Sequence, residues 1–474
     1  MQSLIILLII LLADKAIGRD VISKAKFLSE SQILDEIRLN PKFGDLISQR
    51  FSKEAKLGWR TMKSRYVKLG FKDPVNNDVW KSMYNNVFQR LNDVAEILPP
   101  HNQQEIAMTA LKLRSESNAQ EARDQARKRQ LLCAVFLSSA DLPVLYGNLD
   151  SSNRQENGCD WSVTFFAGRN DLITKFIDDV GAGRYPRVVH ATNYTGPRAA
   201  SGTIFVPKPA LYLTLLPLTK AYKRVWILDA DISLESFSFT RLFRVLDCEF
   251  AYDKKHSLSD VLQRRGTPRG PIISQPVVAD DTQFFPTLNA GYWNKSGLGI
   301  GKQAKFLAQQ VRIIEQQMPI FQADFFEWYV DQIIRPWVPV SLVLEATWGF
   351  DTTWCGAAED YALFRAGEST LGANYYSKYN VSRPAACAVL LATHPVRHLK
   401  KVTGSQMITK HGNAIAYATF YFTGHMQKFW VHDRLPSWSA PNRRGLPNAS
   451  RANLVPRSTA PKNCPYNLQV KSAS

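Results

Sequence analysis

Two aspartates, Asp229 and Asp231, stand one residue apart directly after the apolar run Val225-Trp226-Ile227-Leu228. Such a run predicts a strand buried on both faces, and ligands of open α/β sheets bind where strands end. Two carboxylates at i and i+2 can both turn toward one hard cation once the strand gives way to a loop. A divalent ion held there would neutralise a diphosphate, the leaving group of a nucleotide-sugar. The plainer alternative is an exposed turn after a strand. Pro271-Ile272-Ile273-Ser274-Gln275-Pro276 predicts another strand with Ser274 and Gln275 as hydrogen-bonding groups at its end, or a simple strand-to-turn transition.

Trp348-Gly349-Phe350-Asp351, followed by Trp354, joins a glycine that permits close backbone approach, an aromatic wall and a carboxylate in a partly dry pocket. Desolvation raises the pKa of such a carboxylate and suits it to act as base toward a sugar hydroxyl. A helix N-cap is the competing role for Asp351, and Glu359 and Asp360 are rival carboxylates. His394-Pro395-Val396-Arg397-His398 supplies an imidazole that can complete a ligand set with Asp229 and Asp231, while Arg397, Lys400 or Lys401 can hold phosphate. A structural role for either histidine is the alternative.

These residues need a scaffold. From Leu131 the sequence alternates apolar strands with helices: Leu131–Leu137, Trp161–Phe166, a helix over 171–180, Arg187–His190, an apolar helix opened by Pro209, and the strand before Asp229. That alternation predicts an α/β fold with a mostly parallel sheet flanked by helices. Residues 19–130 read as a charged α-helical region. Its clearest helix runs from Val79 to Leu98 at a 3.6-residue period and stops at Pro99-Pro100. No acidic residue follows Asp433, and the last 41 residues, with seven Lys/Arg and six Pro, read as a basic irregular tail.

Leu4 to Ala13 is a run of ten apolar residues, half of the about 20 that a membrane span needs, and Ala16 and Gly18 suit a cleavage site. Residues 1–18 are therefore read as a signal peptide, which places the chain in the lumen of the secretory pathway or outside the cell, with no transmembrane span after cleavage. Six cysteines, none in zinc-ligand spacing, permit three disulfides there. Asn193, Asn294, Asn380 and Asn448 begin glycosylation sequons, about as many as chance supplies. A hydrophobic content of 45% excludes a disordered chain. The net charge of +18 favours polyanion contact, but a secretory route and the lack of a recognition motif argue against nucleic acid.

In their order, VWILDADISLESF, ISQP, MPIF, WGFDTTW and PVRHL resemble the family known as domain of unknown function 707, whose members are similar to GT-A glycosyltransferases. The match covers roughly residues 131–405. It aligns Asp229 and Asp231 with the family's acidic strand end, Ser274-Gln275-Pro276 with its S-Q-P, Asp351 with its W-G-x-D aspartate and His398 with its late histidine. The charged stretch from Tyr252 to Gly270 departs from the family pattern, and Leu390 and Leu391 stand where members often carry an aspartate.

The resemblance implies a GT-A-like domain over 131–410 followed by an extension over 411–474. It implies a metal-dependent transferase that moves a sugar from a nucleotide-sugar to a glycan or glycoconjugate. Asp229, Asp231 and His398 would bind Mn2+ or Mg2+. Ser274, Gln275, Trp348, Gly349 and Arg397 would contact substrate, and Asp351 would be the acceptor base if the reaction inverts configuration, whereas a retaining reaction would need none. A non-catalytic glycan- or polyanion-binding protein of the same fold is the rival expectation.

Overall fold

The computed structural model describes residues 27–28, 129–194, 198–201, 203–205, 208–250, 271–279, 293–294, 297–311, 314, 316–334, 354, 357–358, 361, 388–399, 454–457 and 464–466. Within the region expected to be helical, Phe27–Leu28 instead forms strand β1. The expected helix over 79–98 and the leader over 1–18 lie outside the described residues. Strand β2 (Arg129–Ser138) begins two residues ahead of the predicted Leu131, because Arg129 already donates its backbone N–H to Ala221 (2.9 Å).

The chain then runs through helix α1 (Leu142–Asn153), β3 (Asp160–Ala167), α2 (Asn170–Gly181), β4 (Val188–Asn193), β5 (Arg198–Ser201) and β6 (Thr203–Phe205). Short helices α3 (Lys208–Leu213) and α4 (Leu216–Thr219) lead into β7 (Tyr222–Asp229), followed by β8 (Ile232–Ser233), α5 (Phe239–Arg244) and β9 (Ile273–Val278). The remaining elements are β10 (Phe306–Val311), β11 (Ile320–Gln322), α6 (Ala323–Tyr329), β12 (Ala388–His398) and β13 (Leu454–Pro456).

Nine strands form one path in the order β13-β10-β12-β9-β11-β7-β2-β3-β4. β7, β2, β3 and β4 are parallel, as are β9 and β12; β10 and β11 run against the rest. The fold is thus the mixed, mostly parallel α/β sheet that the alternating pattern predicts. β5 and β6 form a separate small sheet with β1.

The parallel half is apolar because helices or loops cover both faces. Leu132, Cys133, Ala134 and Leu137 of β2 are fully buried, as are Trp226 and Ile227 of β7. Helix α2 turns Ile173 and Phe176 inward, and Phe176 meets Phe165 edge-on at 5.5 Å. In α6, Phe325, Phe326 and Tyr329 are core residues.

Two disulfides close within this framework. Cys133–Cys159 joins β2 to the approach of β3, and Cys248–Cys464 spans 216 residues. The remaining pair, Cys355 and Cys387, lies outside the described residues. The stretch expected to be an irregular tail contributes part of the sheet. β13 pairs with β10, and Tyr466 packs on Phe243 with ring centroids 5.6 Å apart. A three-residue strand is too short to produce an alternating pattern, so the sequence alone could not reveal it.

Candidate functional site

β7 delivers Asp229 to the carboxyl edge of the sheet, where its N–H donates to the Gln317 carbonyl (2.8 Å). The chain turns through Ala230 and Asp231 into β8, which pairs antiparallel with the far end of β12: Ile232 opposite His398, Ser233 opposite Arg397. Leu399 N–H closes the corner on the Asp231 carbonyl (2.9 Å). This pairing sets the His398 Nε2 3.4 Å from Asp231 Oδ2. Asp231 and His398, far apart in sequence, therefore meet, and Asp229 lies near enough to feel the charge of both.

The turn is held from behind by α1. Asn148 donates its side-chain amide to the Ile232 carbonyl (2.8 Å) and accepts from Leu234 N–H (2.6 Å), and Ser151 Oγ donates to the Leu234 carbonyl (2.9 Å). Asn148 is buried, so its loss strands one donor and one acceptor. Asn148→Ala should cost roughly 2–4 kcal/mol in chemical denaturation and loosen the Asp231 turn. An unchanged midpoint would show that the clamp is idle.

Asp229 is not a bare carboxylate. Lys208 Nζ lies 2.5 Å from its Oδ1 and also donates to the Gln316 carbonyl (3.3 Å). Burial pushes the Asp229 carboxyl above its ordinary pKa; Lys208 pulls against that shift, and Asp231 adds to it. Next to this edge, Gly168 at the end of β3 adopts φ +119°, and a Cβ there would meet Ser139 Oγ at 2.2 Å. Only glycine lets the β2 and β3 ends approach this closely. Ser139 Oγ accepts the Arg169 N–H (2.8 Å) across that contact.

Other expected contacts fall elsewhere. Ser274 and Gln275 open β9 instead of ending it, and both are fully buried, opposite Val389 and Leu390 of β12. They are interior sheet residues because the strand continues through Pro276 to Val278, against the expectation of a polar strand end. Arg397 is exposed and adjacent to His398 on the same strand; successive strand side chains face opposite ways, so Arg397 does not share the side of His398. Trp348, Gly349, Asp351, Glu359 and Asp360 lie outside the described residues. Trp354 is core, edge-on to Phe321 at 5.1 Å.

His394, the other histidine of the late motif, is buried with Nδ1 2.7 Å from Thr393 Oγ1. Burial first, then the positive charges of Arg241 and Arg457, hold its pKa down to about 3 from 6.5. The imidazole is structural and neutral. As pH falls from about 6.5 toward 3, the unfolded chain binds a proton that the folded one refuses, so stability is lost at up to roughly 1.4 kcal/mol per pH unit. His394→Gln should flatten the dependence of melting temperature on pH between 6.5 and 4. Identical slopes for variant and parent would contradict that assignment.

Among the described residues, no three acidic, histidine or cysteine side chains form a ready-made metal cage. The donors at the β7 edge are nonetheless the hard oxygens and imidazole that suit Mn2+ or Mg2+, and a cationic group already rests on Asp229. Lys208 and Asn148 are the two site residues that sequence reasoning missed. For Lys208 no local signal was available, since its place at the start of a helix is that of an ordinary surface lysine.

A cavity of about 690 Å3 lies at the opposite, amino end of β2 and β3, lined in part by Arg129, Asp160 and Arg187. Its arginines are committed: Arg129 to Asp160 (2.8 Å), and Arg187 to the carbonyls of Gly158, Gln155 and Glu156. It holds none of the residues expected to do chemistry.

No helix among the described residues is long and apolar enough to cross a membrane. No family model and no curated protein matches the chain. Among solved structures it is similar to the mannosyltransferase Ktr4p from S. cerevisiae, with 11% identity and a TM-score of 0.19 over 56% of this chain and 78% of that one. At that score the likeness carries no argument about chemistry, which rests on the β7 edge alone.

Proposed function

We propose that the chain is a metal-dependent glycosyltransferase of the secretory pathway, using a nucleotide-sugar donor and a glycan or glycoconjugate acceptor. One observation carries the reading: Asp229 ends a buried parallel strand, Asp231 lies in the turn just beyond it, and His398, from a strand far away in sequence, meets Asp231 there. Carboxyl ends of parallel strands are where α/β folds bind phosphorylated ligands. The ordered motifs that resemble domain of unknown function 707 support the same reaction class, and two disulfides fit an oxidising lumen.

Asp229, Asp231 and His398 would hold Mn2+ or Mg2+, whose charge would stabilise the departing diphosphate. The protein's own part is to fix those donors: the β8–β12 pairing orients Asp231 and His398, and the Asn148 clamp keeps the turn from drifting. We assign the acceptor base of an inverting reaction to Asp351, which would take the proton from the attacking sugar hydroxyl.

The test incubates the full chain with a panel of nucleotide-sugars and Mn2+, with and without glycan acceptors, and follows products by mass spectrometry. Release of a nucleoside diphosphate that depends on Mn2+, with sugar appearing on water or acceptor, is expected. Binding without turnover for every donor would instead establish a glycan- or polyanion-binding protein, to which the +18 charge is suited.

A further inference from the structure

We propose that Asn294 is a glycosylation site that carries an N-linked oligosaccharide on its side-chain amide. This rests on the reading of the chain as a secretory-pathway protein, which is what brings it to an oligosaccharide donor. Asn294-Lys295-Ser296 has the Asn-x-Ser pattern with no proline between. Chance alone supplies about as many sequons as the chain has, so position must separate them. Trp293 is fully buried, and Asn294, its neighbour in the same helical turn, is exposed. The backbone pins this turn. Gly297 N–H donates to the Asn294 carbonyl (3.0 Å), and the N–H groups of Leu298 and Gly299 donate to the Trp293 carbonyl (2.9 and 3.1 Å). Gly297 and Gly299 both adopt φ +67°, the left-handed conformation that ends a helix. The buried indole is thus the anchor, and the Asn294 carboxamide is left at the surface, with no hydrogen-bond partner among the described residues.

Transfer uses that amide as nucleophile. Its nitrogen displaces a lipid-linked diphosphate from the anomeric carbon of an oligosaccharide: the C–N bond forms as the C–O bond breaks, the amide gives up one proton and the diphosphate leaves. The attached glycan is bulky and hydrophilic, so a folded chain keeps it only at the surface. Asn193, the other sequon asparagine among the described residues, does not meet that condition. It is half-buried in β4, paired with Phe165 of β3. The next residue, Tyr194, is buried and donates its N–H to the Phe165 carbonyl (2.7 Å). A glycan on Asn193 would have to displace this strand end, so the modification belongs to Asn294 and not to Asn193. Asn380 and Asn448 lie outside the described residues.

The test expresses the full chain in a eukaryotic secretory system and maps its peptides by mass spectrometry after a peptide-N-glycosidase has acted in heavy-oxygen water. That enzyme converts a glycosylated asparagine to a labelled aspartate. Asn294 should acquire the label and Asn193 should not. Asn294→Gln and Ser296→Ala each break the pattern, and each should lose the mass of one glycan with the melting temperature unchanged. The map of the parent decides the question even if a variant folds poorly. A secreted, disulfide-bonded chain with Asn294 bare, or with the label on Asn193 instead, overturns the inference and leaves the secretory reading standing. If the chain stays in the cytosol with residues 1–18 uncut and its cysteines reduced, the secretory reading fails first and this inference with it.

Discussion

Asp231→Asn should reduce nucleoside-diphosphate affinity in Mn2+ by at least about 100-fold, since even an outer-shell partner of a bound metal is worth 10–100-fold. It should do so with almost no change in melting temperature, because Asp231 is partly exposed and its ionic contact, with His398, is a long 3.4 Å. Asp229→Asn should lose affinity by a similar factor but should also destabilise the fold. Its carboxylate is the counter-charge of a mostly buried ammonium, and removing one member of a buried pair leaves the other uncompensated. Partial exposure discounts the 3–5 kcal/mol of a fully buried pair to roughly 1–3 kcal/mol. Pairing Asp229→Asn with Lys208→Met should restore most of that stability and none of the affinity. Thermal melts alongside calorimetry separate the two effects. If Asp231→Asn destabilises the protein as much as Asp229→Asn while affinity holds, the turn is structural and the chemistry lies elsewhere.

Removing Cys248–Cys464 should have the largest effect on stability. The bond closes 216 residues of chain, and loop-closure entropy puts its contribution at about 5 kcal/mol. Cys464 and Tyr466 anchor the C-terminal segment on Phe243 of α5, and among the described residues β13 at the sheet edge pairs with β10 alone. In a Cys248→Ser, Cys464→Ser double variant, the segment around 454–466 should become sensitive to limited proteolysis well before the β2–β7 core. Asp247, next to Cys248, would keep its ion pair with Arg224 of β7, so the site should still bind nucleotide. Equal denaturation midpoints for variant and parent would show that the bond merely decorates a segment already fixed by packing.

The elements legible in the sequence were those with one unambiguous pattern. β2, β3 and β7 are continuous apolar runs because both their faces are covered, and α2 shows a clean inward stripe. Their order predicts the parallel half of the sheet and puts Asp229 at its edge. α1 gave no helical signal, since Gly147, Asn148, Ser151 and Ser152 are poor helix formers. Those residues serve contacts outside the helix: Ser152 Oγ donates to the Cys159 carbonyl seven residues on (2.9 Å), and a Cβ at Gly147 would crowd Glu235 Oε1 at 2.8 Å.

The Asp231–His398 meeting was legible only as a hypothesis, because it depends on β12 leaving β9 and pairing with β8, a register that no local pattern encodes. Ser274 and Gln275 misled for the opposite reason. Polar residues followed by Pro276 look like a strand end, yet β9 carries proline inside the sheet and runs on to Val278. Lys208 was invisible because a lysine beside a proline at a helix start resembles ordinary surface; only the fold places it on Asp229.

The central claim is that the β7 edge binds a nucleoside diphosphate through a divalent cation. Isothermal titration of UDP and of GDP into the full chain tests it directly, first with Mn2+ and then with the metal removed by EDTA. The account predicts saturable one-to-one binding of at least one nucleotide in Mn2+, lost in EDTA and restored when the metal is returned. Binding that EDTA leaves unchanged, or no binding of either nucleotide in Mn2+, would contradict it.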